Sequence, residues 1–113
     1  MRARTSRHPS EDRAAWWYRW RGYRVLERNA WEGGYELDLV VRRGRLIAFV
    51  EVKSKSGVGF GDPLEMVTPL KVERVRRAAE AWLRQNPLHD GLRVRFDVVA
   101  ERAGRIEVVQ DAF

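Results

Sequence analysis

Hydrophobic and polar side chains alternate most clearly in the middle of the chain. Residues 36–39 are Glu-Leu-Asp-Leu, two valines follow, and residues 42–45 (Arg-Arg-Gly-Arg) have the composition of a turn. Residues 46–53 are then almost wholly apolar up to Glu51, which is typical of a central strand. The pattern therefore predicts a β-hairpin that extends from Glu36 to Lys53.

The rest of the pattern predicts two helices and three more strands. The first helix extends from an N-cap at Ser10 to about Arg21, and the second extends from Pro69 to about Gln85. The other strands are predicted at residues 23–30, 92–100 and 105–109. The result is an α/β fold with the order αβββαββ. The helix-containing connection after the hairpin predicts at least one parallel strand pair.

The segments outside these elements have the composition of arms, turns and loops. Residues 1–9 predict a basic flexible arm, and residues 10–113 predict a single domain. A turn is predicted at residues 31–34, and residues 54–63, with three glycines, predict a mobile loop. This loop either closes over a substrate or simply connects the hairpin to the second helix.

The composition limits the class of protein. With 113 residues and 44% hydrophobic side chains, the chain is long enough for one globular core. It has no cysteine for a disulfide or a thiolate metal site. No apolar run approaches the roughly 20 residues that span a bilayer, and no hydrophobic segment of a signal peptide follows the basic N-terminus. These features predict a soluble cytoplasmic protein with no membrane partner.

Basic residues outnumber acidic ones. The chain has 22 lysines and arginines against 16 acids, a net charge of +6, and arginine dominates the basic set. Because arginine binds phosphate in a bidentate manner and stacks on bases, this balance favours nucleic acid as a partner. Arginine-rich codon usage is the alternative explanation.

The hairpin brings its polar residues to one face, since side chains alternate along a strand. With a two-residue turn at Arg43-Gly44, or a four-residue turn at residues 42–45, Asp38 lies opposite Phe49 and Glu36 lies opposite Glu51. Near the end away from the turn, this register places four polar residues on one face: Glu36, Asp38, Glu51 and Lys53. The opposite face of the first strand holds Leu37, Leu39 and Val41.

Clustered acids on an apolar strand require compensation, because like charges repel and a buried unpaired carboxylate is costly. Mg²⁺ or Mn²⁺ would provide it, since such ions bind carboxylate oxygens and keep water for a reaction. Lys53 can orient or deprotonate an attacking water, or neutralise charge on a phosphate. These features favour phosphodiester hydrolysis. The alternative is a solvated edge-strand face, with Glu51 and Lys53 as an ordinary pair at a strand end.

The polar residues of the hairpin also resemble a known motif. Asp38, twelve intervening residues and then Glu51-Val52-Lys53 resemble the metal-binding core of the PD-(D/E)xK nuclease superfamily. Residues 10–113 more closely resemble the UPF0102 (YraN-like) family of small predicted endonucleases. The matching segments are residues 11–15, 22–26, 28–29, 36–39, 49–53, 60–61, 71, 95–99 and 111–113.

The resemblance implies a restriction-endonuclease-like fold, similar to archaeal Holliday-junction resolvases, with a mixed β-sheet and flanking helices. It implies that Asp38 and Glu51 hold the metal and that Lys53 serves the attacking water. It also implies that Glu11 reaches the site from the first helix, whereas the helix dipole alone would favour an acid there.

Two positions depart from the family pattern. Tyr35 occupies a position where glycine is usual, and it is expected to alter access beside the site. Residues 8–10 (His-Pro-Ser) replace the usual glycines before Glu11, so the entry to the first helix differs. Leu37 precedes Asp38 where the superfamily name has proline, a common variation in the group.

Other residues are candidates for contacts with nucleic acid. The candidates for phosphate binding are Lys55, Lys71, Arg74 and Arg28. A charged run on a helix is otherwise a solvated face. Four tryptophans are further candidates: Trp16, Trp17, Trp20 and Trp31. Those that are exposed would stack on unpaired bases, and the others would belong to the core.

The leading hypothesis is a Mg²⁺- or Mn²⁺-dependent endonuclease that hydrolyses DNA, either branched or single-stranded. The similarity to resolvases makes a homodimer worth testing. The alternative is a catalytically inactive nucleic-acid-binding module of the same fold. A third hypothesis is an intracellular scaffold that binds a protein and whose basic surface is incidental.

Overall fold

The computed structural model describes residues 9–55 and 67–113, apart from the side chain of Lys55. Its elements are α1 Pro9–Trp20, β1 Arg24–Glu32, β2 Tyr35–Arg43, β3 Leu46–Lys55, α2 Pro69–Gln85, a short 3-10 helix Pro87–His89, β4 Arg93–Arg102 and β5 Arg105–Val109. No helix in these two segments is long and apolar enough to cross a membrane. The predicted strands and second helix agree with these bounds to within two residues.

The five strands form one sheet in the order β1-β2-β3-β4-β5. β3 and β4 are parallel, and the other neighbouring strands are antiparallel. α2 lies between β3 and β4 in the chain, as a parallel pair requires a long crossover. The predicted parallel pair and the order αβββαββ are therefore confirmed. The architecture is that of a restriction-endonuclease-like α/β fold.

The two helices pack on opposite faces of the sheet, because alternate residues of β2 and β3 face opposite ways. One core joins α1 to the first face and includes Ala14, Ala15, Tyr18, Leu39, Val41, Ala48 and Val50. The other joins α2 to the second face and includes Val40, Ile47, Phe49, Val75, Ala79 and Trp82. Burying a side chain such as Phe49 contributes roughly 1.5–3 kcal/mol, so β2 and β3 form a rigid frame.

The turn between β2 and β3 lies one position later than predicted. Arg43 pairs with Leu46, so Gly44 and Arg45 are the two turn residues. Gly44 has a φ of 60°, and two-residue hairpin turns favour glycine at such positions. The predicted turn at Arg43-Gly44 is wrong because it would place Arg43 inside the turn.

The predicted β2–β3 register is wrong by two residues as a consequence. Val40, rather than Asp38, lies opposite Phe49. Glu36 does not pair with β3 and instead lies opposite Trp31 of β1. Because side chains repeat every two residues, this shift leaves the side chains of β3 on the faces that the sequence predicted.

The β1–β2 pair is irregular near the site. Leu37 packs in the α2 core, whereas Leu39 packs in the α1 core. The prediction that Leu37 shares a face with Leu39 is therefore wrong. The register of the pair shifts between Val25 and Glu27. On β1, Asn29 lies opposite this part of β2, has a φ of 54° and is buried. Asparagine tolerates this left-handed conformation better than most residues.

The ends of some elements also differ from the prediction. α1 begins at Pro9, so Ser10 lies in the first turn rather than at the N-cap. Of the predicted arm, residues 1–8 lie outside the described residues. The turn predicted at residues 31–34 comprises only Gly33 and Gly34, because residues 31 and 32 belong to β1. β3 continues to Lys55, and residues 56–63 of the predicted loop lie outside the described residues.

Candidate active site

Asp38 lies where β2 and β3 separate. The last backbone pair of their ladder is Leu39 with Val50. Beyond it the Asp38 carboxylate accepts a hydrogen bond of 2.8 Å from the backbone N–H of Val52. The Asp38 carboxylate thus replaces the backbone carbonyl of β2 that would otherwise accept from Val52 of β3. This contact fixes Asp38 beside Glu51.

Glu51 is buried on β3 and is held by only one of its oxygens. Its side chain points to the α2 face, and the residue is only 4% exposed. The Tyr35 hydroxyl donates to Oε1 at 2.9 Å, and the Lys71 ammonium lies 3.4 Å from the same oxygen. Oε2 is buried and has no hydrogen-bond partner among the described residues. An unpartnered carboxylate oxygen of this kind is rare in a folded protein.

The two acids disfavour each other's ionisation. Burial raises the pKa of Asp38 to about 8, and the charge of Glu51 contributes in the same direction, while the Val52 N–H opposes both. Burial also raises the pKa of Glu51, although Lys71 opposes the rise. Burial and the neighbouring Lys53 lower the pKa of Lys71. The site therefore has less positive charge than its carboxylates require.

The acids open onto a surface cleft of about 280 Å³. Its lining residues are Trp31, Gly34, Tyr35, Glu36, Asp38, Glu51, Val52 and Lys53. A second cleft of about 430 Å³ is lined by Tyr35, Lys53, Thr68, Leu70, Lys71 and Arg74. The clefts adjoin, because Tyr35 and Lys53 line both. The two clefts thus lie side by side, the first at the carboxylates and the second at the N-terminal turn of α2.

Glu36, Asp38, Glu51 and Lys53 all line the first cleft. The prediction that they share one face is wrong for Glu36, because its neighbour Leu37 packs in the α2 core and Glu36 therefore points away from the face of Glu51. Glu11 lies close by, in the first turn of α1, and is buried. The side-chain amide of Asn29 donates to both of its oxygens, at 3.2 and 3.3 Å. The charge of Glu11 adds to the raised pKa of Asp38, after the larger effects of burial and Glu51. Glu11 is therefore a neighbour of the site that already has partners of its own.

The candidates for phosphate binding are distributed unevenly. Lys71 and Arg74 line the second cleft. Arg28 donates to Asp12 at 2.8 Å and lies 3.9 Å from Glu11, so a phosphate would compete with two acids for it. Lys55 is the last residue of β3, and its side chain lies outside the described residues.

The sequence placed Tyr35 beside the site but did not assign a partner to its hydroxyl. Its position three residues before Asp38, at the start of the acidic strand, was the available signal. Only the tertiary fold shows that its hydroxyl reaches Glu51. Burial and the charge of Glu51 raise the pKa of the Tyr35 hydroxyl, so it remains a hydrogen-bond donor.

Asp38 and Glu51 fit a hard divalent cation as a pair of ligands. Their donors are oxygens, one of which is buried and unpartnered. Residues 9–55 and 67–113 hold no group of three or more His, Asp or Glu side chains placed to bind a metal ion. A pair suits Mg²⁺, which is commonly bound by one or two carboxylates together with waters and substrate phosphates.

Comparisons with known proteins agree on one family. The model of the "uncharacterised protein family UPF0102" matches residues 10–100. A UPF0102 protein of Rhodococcus opacus is 44% identical over 109 residues, which cover 91% of each chain. One of Klebsiella pneumoniae is 38% identical over 104 residues, covering 91% of this chain and 81% of the relative. One of Mycolicibacterium vanbaalenii is 48% identical over 88 residues, covering 77% and 71%.

Proposed function

The chain belongs to the uncharacterised protein family UPF0102, and on that premise we propose that it is a metal-dependent endonuclease that hydrolyses phosphodiester bonds in DNA. The single observation that carries the proposal is the incompletely compensated pair formed by Asp38 and Glu51. Glu51 is buried and Asp38 is half-buried, both pKa values are raised, and Glu51 Oε2 has no partner among the described residues. Such perturbed acids in a cleft are typical of functional sites.

Asp38 and Glu51 would hold Mg²⁺ or Mn²⁺. A bound ion of this kind polarises a phosphoryl oxygen and lowers the pKa of a bound water. The protein holds the two carboxylates in place in different ways. The Val52 N–H orients Asp38, while Tyr35 and Lys71 bind Oε1 of Glu51 and leave Oε2 for a ligand.

Lys53 and Lys71 would act on the substrate side of the cleft. Lys53 lines both clefts, so its ammonium can orient a water molecule or neutralise a phosphate oxygen beside the acids. Lys71 and Arg74 extend positive charge along the second cleft, where the next phosphate of a strand would bind. Glu36 lines the first cleft without a further assigned role.

The direct test is a cleavage assay with labelled single-stranded, duplex and branched DNA. With Mg²⁺ or Mn²⁺ the purified protein should cut at least one of these, and EDTA should stop the reaction. Asp38→Ala should lower the rate at least about 100-fold, because metal stabilisation of transition-state charge is worth several kcal/mol. Asp90→Ala is a matched control, since Asp90 is an exposed acid outside both clefts.

Two results would reject the endonuclease. One is no metal-dependent cleavage of any DNA structure, and the other is equal cleavage by Asp38→Ala. Cleavage of RNA alone would transfer the proposal from DNA to RNA.

A nucleic-acid-binding module without catalysis is the second candidate. The net charge of +6 favours it, and among the described residues two carboxylates rather than three are placed for a metal. It predicts DNA affinity that falls steeply with salt, no cleavage, and little loss of affinity for Glu51→Ala. A homodimer stays a separate prediction, which sedimentation equilibrium on the purified protein would test.

A further inference from the structure

Trp31 differs from the other tryptophans in its surroundings. Trp16 and Trp20 pack against each other, with ring centroids 5.6 Å apart. The Arg21 guanidinium stacks on Trp17, and Trp82 is buried and donates to Glu27. Trp31 is 62% exposed, and within the described segments its indole has no ring, cation or hydrogen-bond partner.

The fold holds Trp31 at the rim of the first cleft. The β1–β2 pairing continues past the end of the β2–β3 ladder, so this part of the hairpin stands beside the acids. Ala30 and Leu37 pair with each other and face the α2 core. Trp31 and Glu36 pair next to them and face the other way, into the cleft. The indole therefore shares a cleft with Lys53, which is proposed to act on a phosphate.

The hairpin tip is also fixed against α2. Gly33 and Gly34 have φ values of 58° and 79° and close the β1–β2 turn. A side chain at Gly33 would contact the backbone of Ala78 in α2 at 3.7 Å, so the turn lies directly on the helix. Trp31 lies two strand positions from this support, so its backbone is held at the rim of the cleft.

We propose that Trp31 stacks on an unpaired base of the nucleotide next to the bound phosphate. The protein would then prefer single-stranded or locally unpaired nucleic acid to intact duplex. In a duplex both faces of a base are covered by neighbours, whereas an unpaired base offers a face to an exposed indole. This inference rests on the proposed function for the phosphate, and it adds the class of substrate.

The test measures binding in EDTA, so that no cleavage takes place. Fluorescence anisotropy would compare a labelled 12-nucleotide single strand with the same sequence as a blunt duplex. Trp31→Leu should weaken single-strand binding about 5- to 150-fold, the equivalent of one stacked base, and should leave duplex binding unchanged. Trp31→Phe, which keeps an aromatic face, should restore most of the loss. Trp20→Leu, at an exposed tryptophan outside the cleft, should have no effect.

Four results would overturn the inference: unchanged single-strand binding by Trp31→Leu, equal losses on single strand and duplex, a Trp31→Phe variant as weak as Trp31→Leu, or no binding of DNA by the wild type. In each case the cleavage assay decides the proposed function separately. Thermal melting would verify the fold of each variant. Trp31→Thr, a residue that suits strands, replaces Trp31→Leu if the latter melts early.

Discussion

Asp97 and the Asp38–Glu51 pair are acids of the same sheet with little exposure to solvent, but their surroundings differ. Asp97 on β4 is fully buried and accepts from the Tyr18 hydroxyl at 2.6 Å and from the Asp111 N–H at 3.0 Å. Arg95 donates to it twice, each time at 2.8 Å. Asp97 thus has four donors, including a bidentate arginine.

Within residues 9–55 and 67–113, the two carboxylates of the Asp38–Glu51 pair have fewer donors than the one carboxylate of Asp97. One backbone N–H serves Asp38, and a tyrosine hydroxyl and a lysine serve one oxygen of Glu51. A buried acid with full compensation holds a fold together, as Asp97 joins α1, β4 and the C-terminal residues. A pair of acids without full compensation is stabilised by binding a cation from solution. The comparison therefore separates a structural acid from a candidate functional one.

The largest expected effect is on the structural acid. Asp97→Ala should lower the free energy of unfolding by about 3–5 kcal/mol, because Arg95 would stay buried without its partner. Urea unfolding followed by tryptophan fluorescence would measure it. Glu73→Ala removes an exposed ion pair with Arg77 and should cost no more than about 0.5 kcal/mol. A loss below about 1 kcal/mol for Asp97→Ala would remove the contrast between the two acid sites.

Metal affinity should depend on pH at the functional acids. Asp38 has a pKa of about 8, so it must lose a proton before it can bind a cation. The affinity for Mn²⁺ should rise by up to about tenfold per pH unit from pH 6 towards 8 and then level off. Isothermal titration calorimetry in buffers of different ionisation enthalpy would also count the released protons. An affinity that is constant from pH 6 to pH 8 would contradict the raised pKa.

Replacing aspartate by asparagine should change the free energy of unfolding in opposite directions at the two sites. In the metal-free protein at pH 9, Asp38→Asn should raise the free energy of unfolding by about 1–3 kcal/mol, as expected when a poorly compensated buried charge is removed. Asp97→Asn should lower it. Chemical denaturation of both variants would provide the measurement, and a destabilised Asp38→Asn protein would contradict the account.

The pH range of this stabilisation follows from the pKa of Asp38, which is 3.8 ordinarily and about 8 in the fold. Below about pH 4, Asp38 is protonated in both the folded and the unfolded state. The wild type and Asp38→Asn should therefore differ least in their free energy of unfolding. Between pH 4 and pH 8, Asp38 is ionised in the unfolded chain but still protonated in the folded one. The free energy of unfolding of the wild type therefore falls as pH rises. Above pH 8 the difference should be constant.

The smallest expected effect concerns the donor to Glu51. Tyr35→Phe removes the hydroxyl that holds Oε1, and it should weaken Mn²⁺ binding about 2- to 10-fold, the equivalent of one net hydrogen bond. Calorimetric titration would measure it. Tyr23→Phe is the matched control, because the Tyr23 hydroxyl accepts from Arg95 in the Asp97 network. If both variants weaken Mn²⁺ binding equally, Tyr35 has no particular role in orienting Glu51.

The sequence predicted the faces of the hairpin better than its register. The two-residue period assigns Glu51 and Lys53 to one face of β3 whichever turn joins the strands. The two candidate turns, Arg43-Gly44 and Gly44-Arg45, differ in whether Gly44 is the second or the first turn residue. Gly44 can supply the positive φ in either position. Local composition could not separate them.

The partners of the acids could not be predicted, because they come from distant parts of the chain. Lys71 reaches Glu51 from α2, and Asn29 reaches Glu11 from a left-handed position within β1. The Asp97 network had one local signal, since Arg95 and Asp97 are two residues apart and share a strand face. Its third side chain, Tyr18, is 79 residues away in sequence.

A crystal structure of the protein soaked in Mn²⁺ tests the central contrast most directly. We expect an anomalous difference peak between Asp38 and Glu51, within coordination distance of Glu51 Oε2, and no peak at Asp97. No peak at the Asp38–Glu51 pair under saturating Mn²⁺ at pH 8 or above would contradict the assignment of this pair as the metal site.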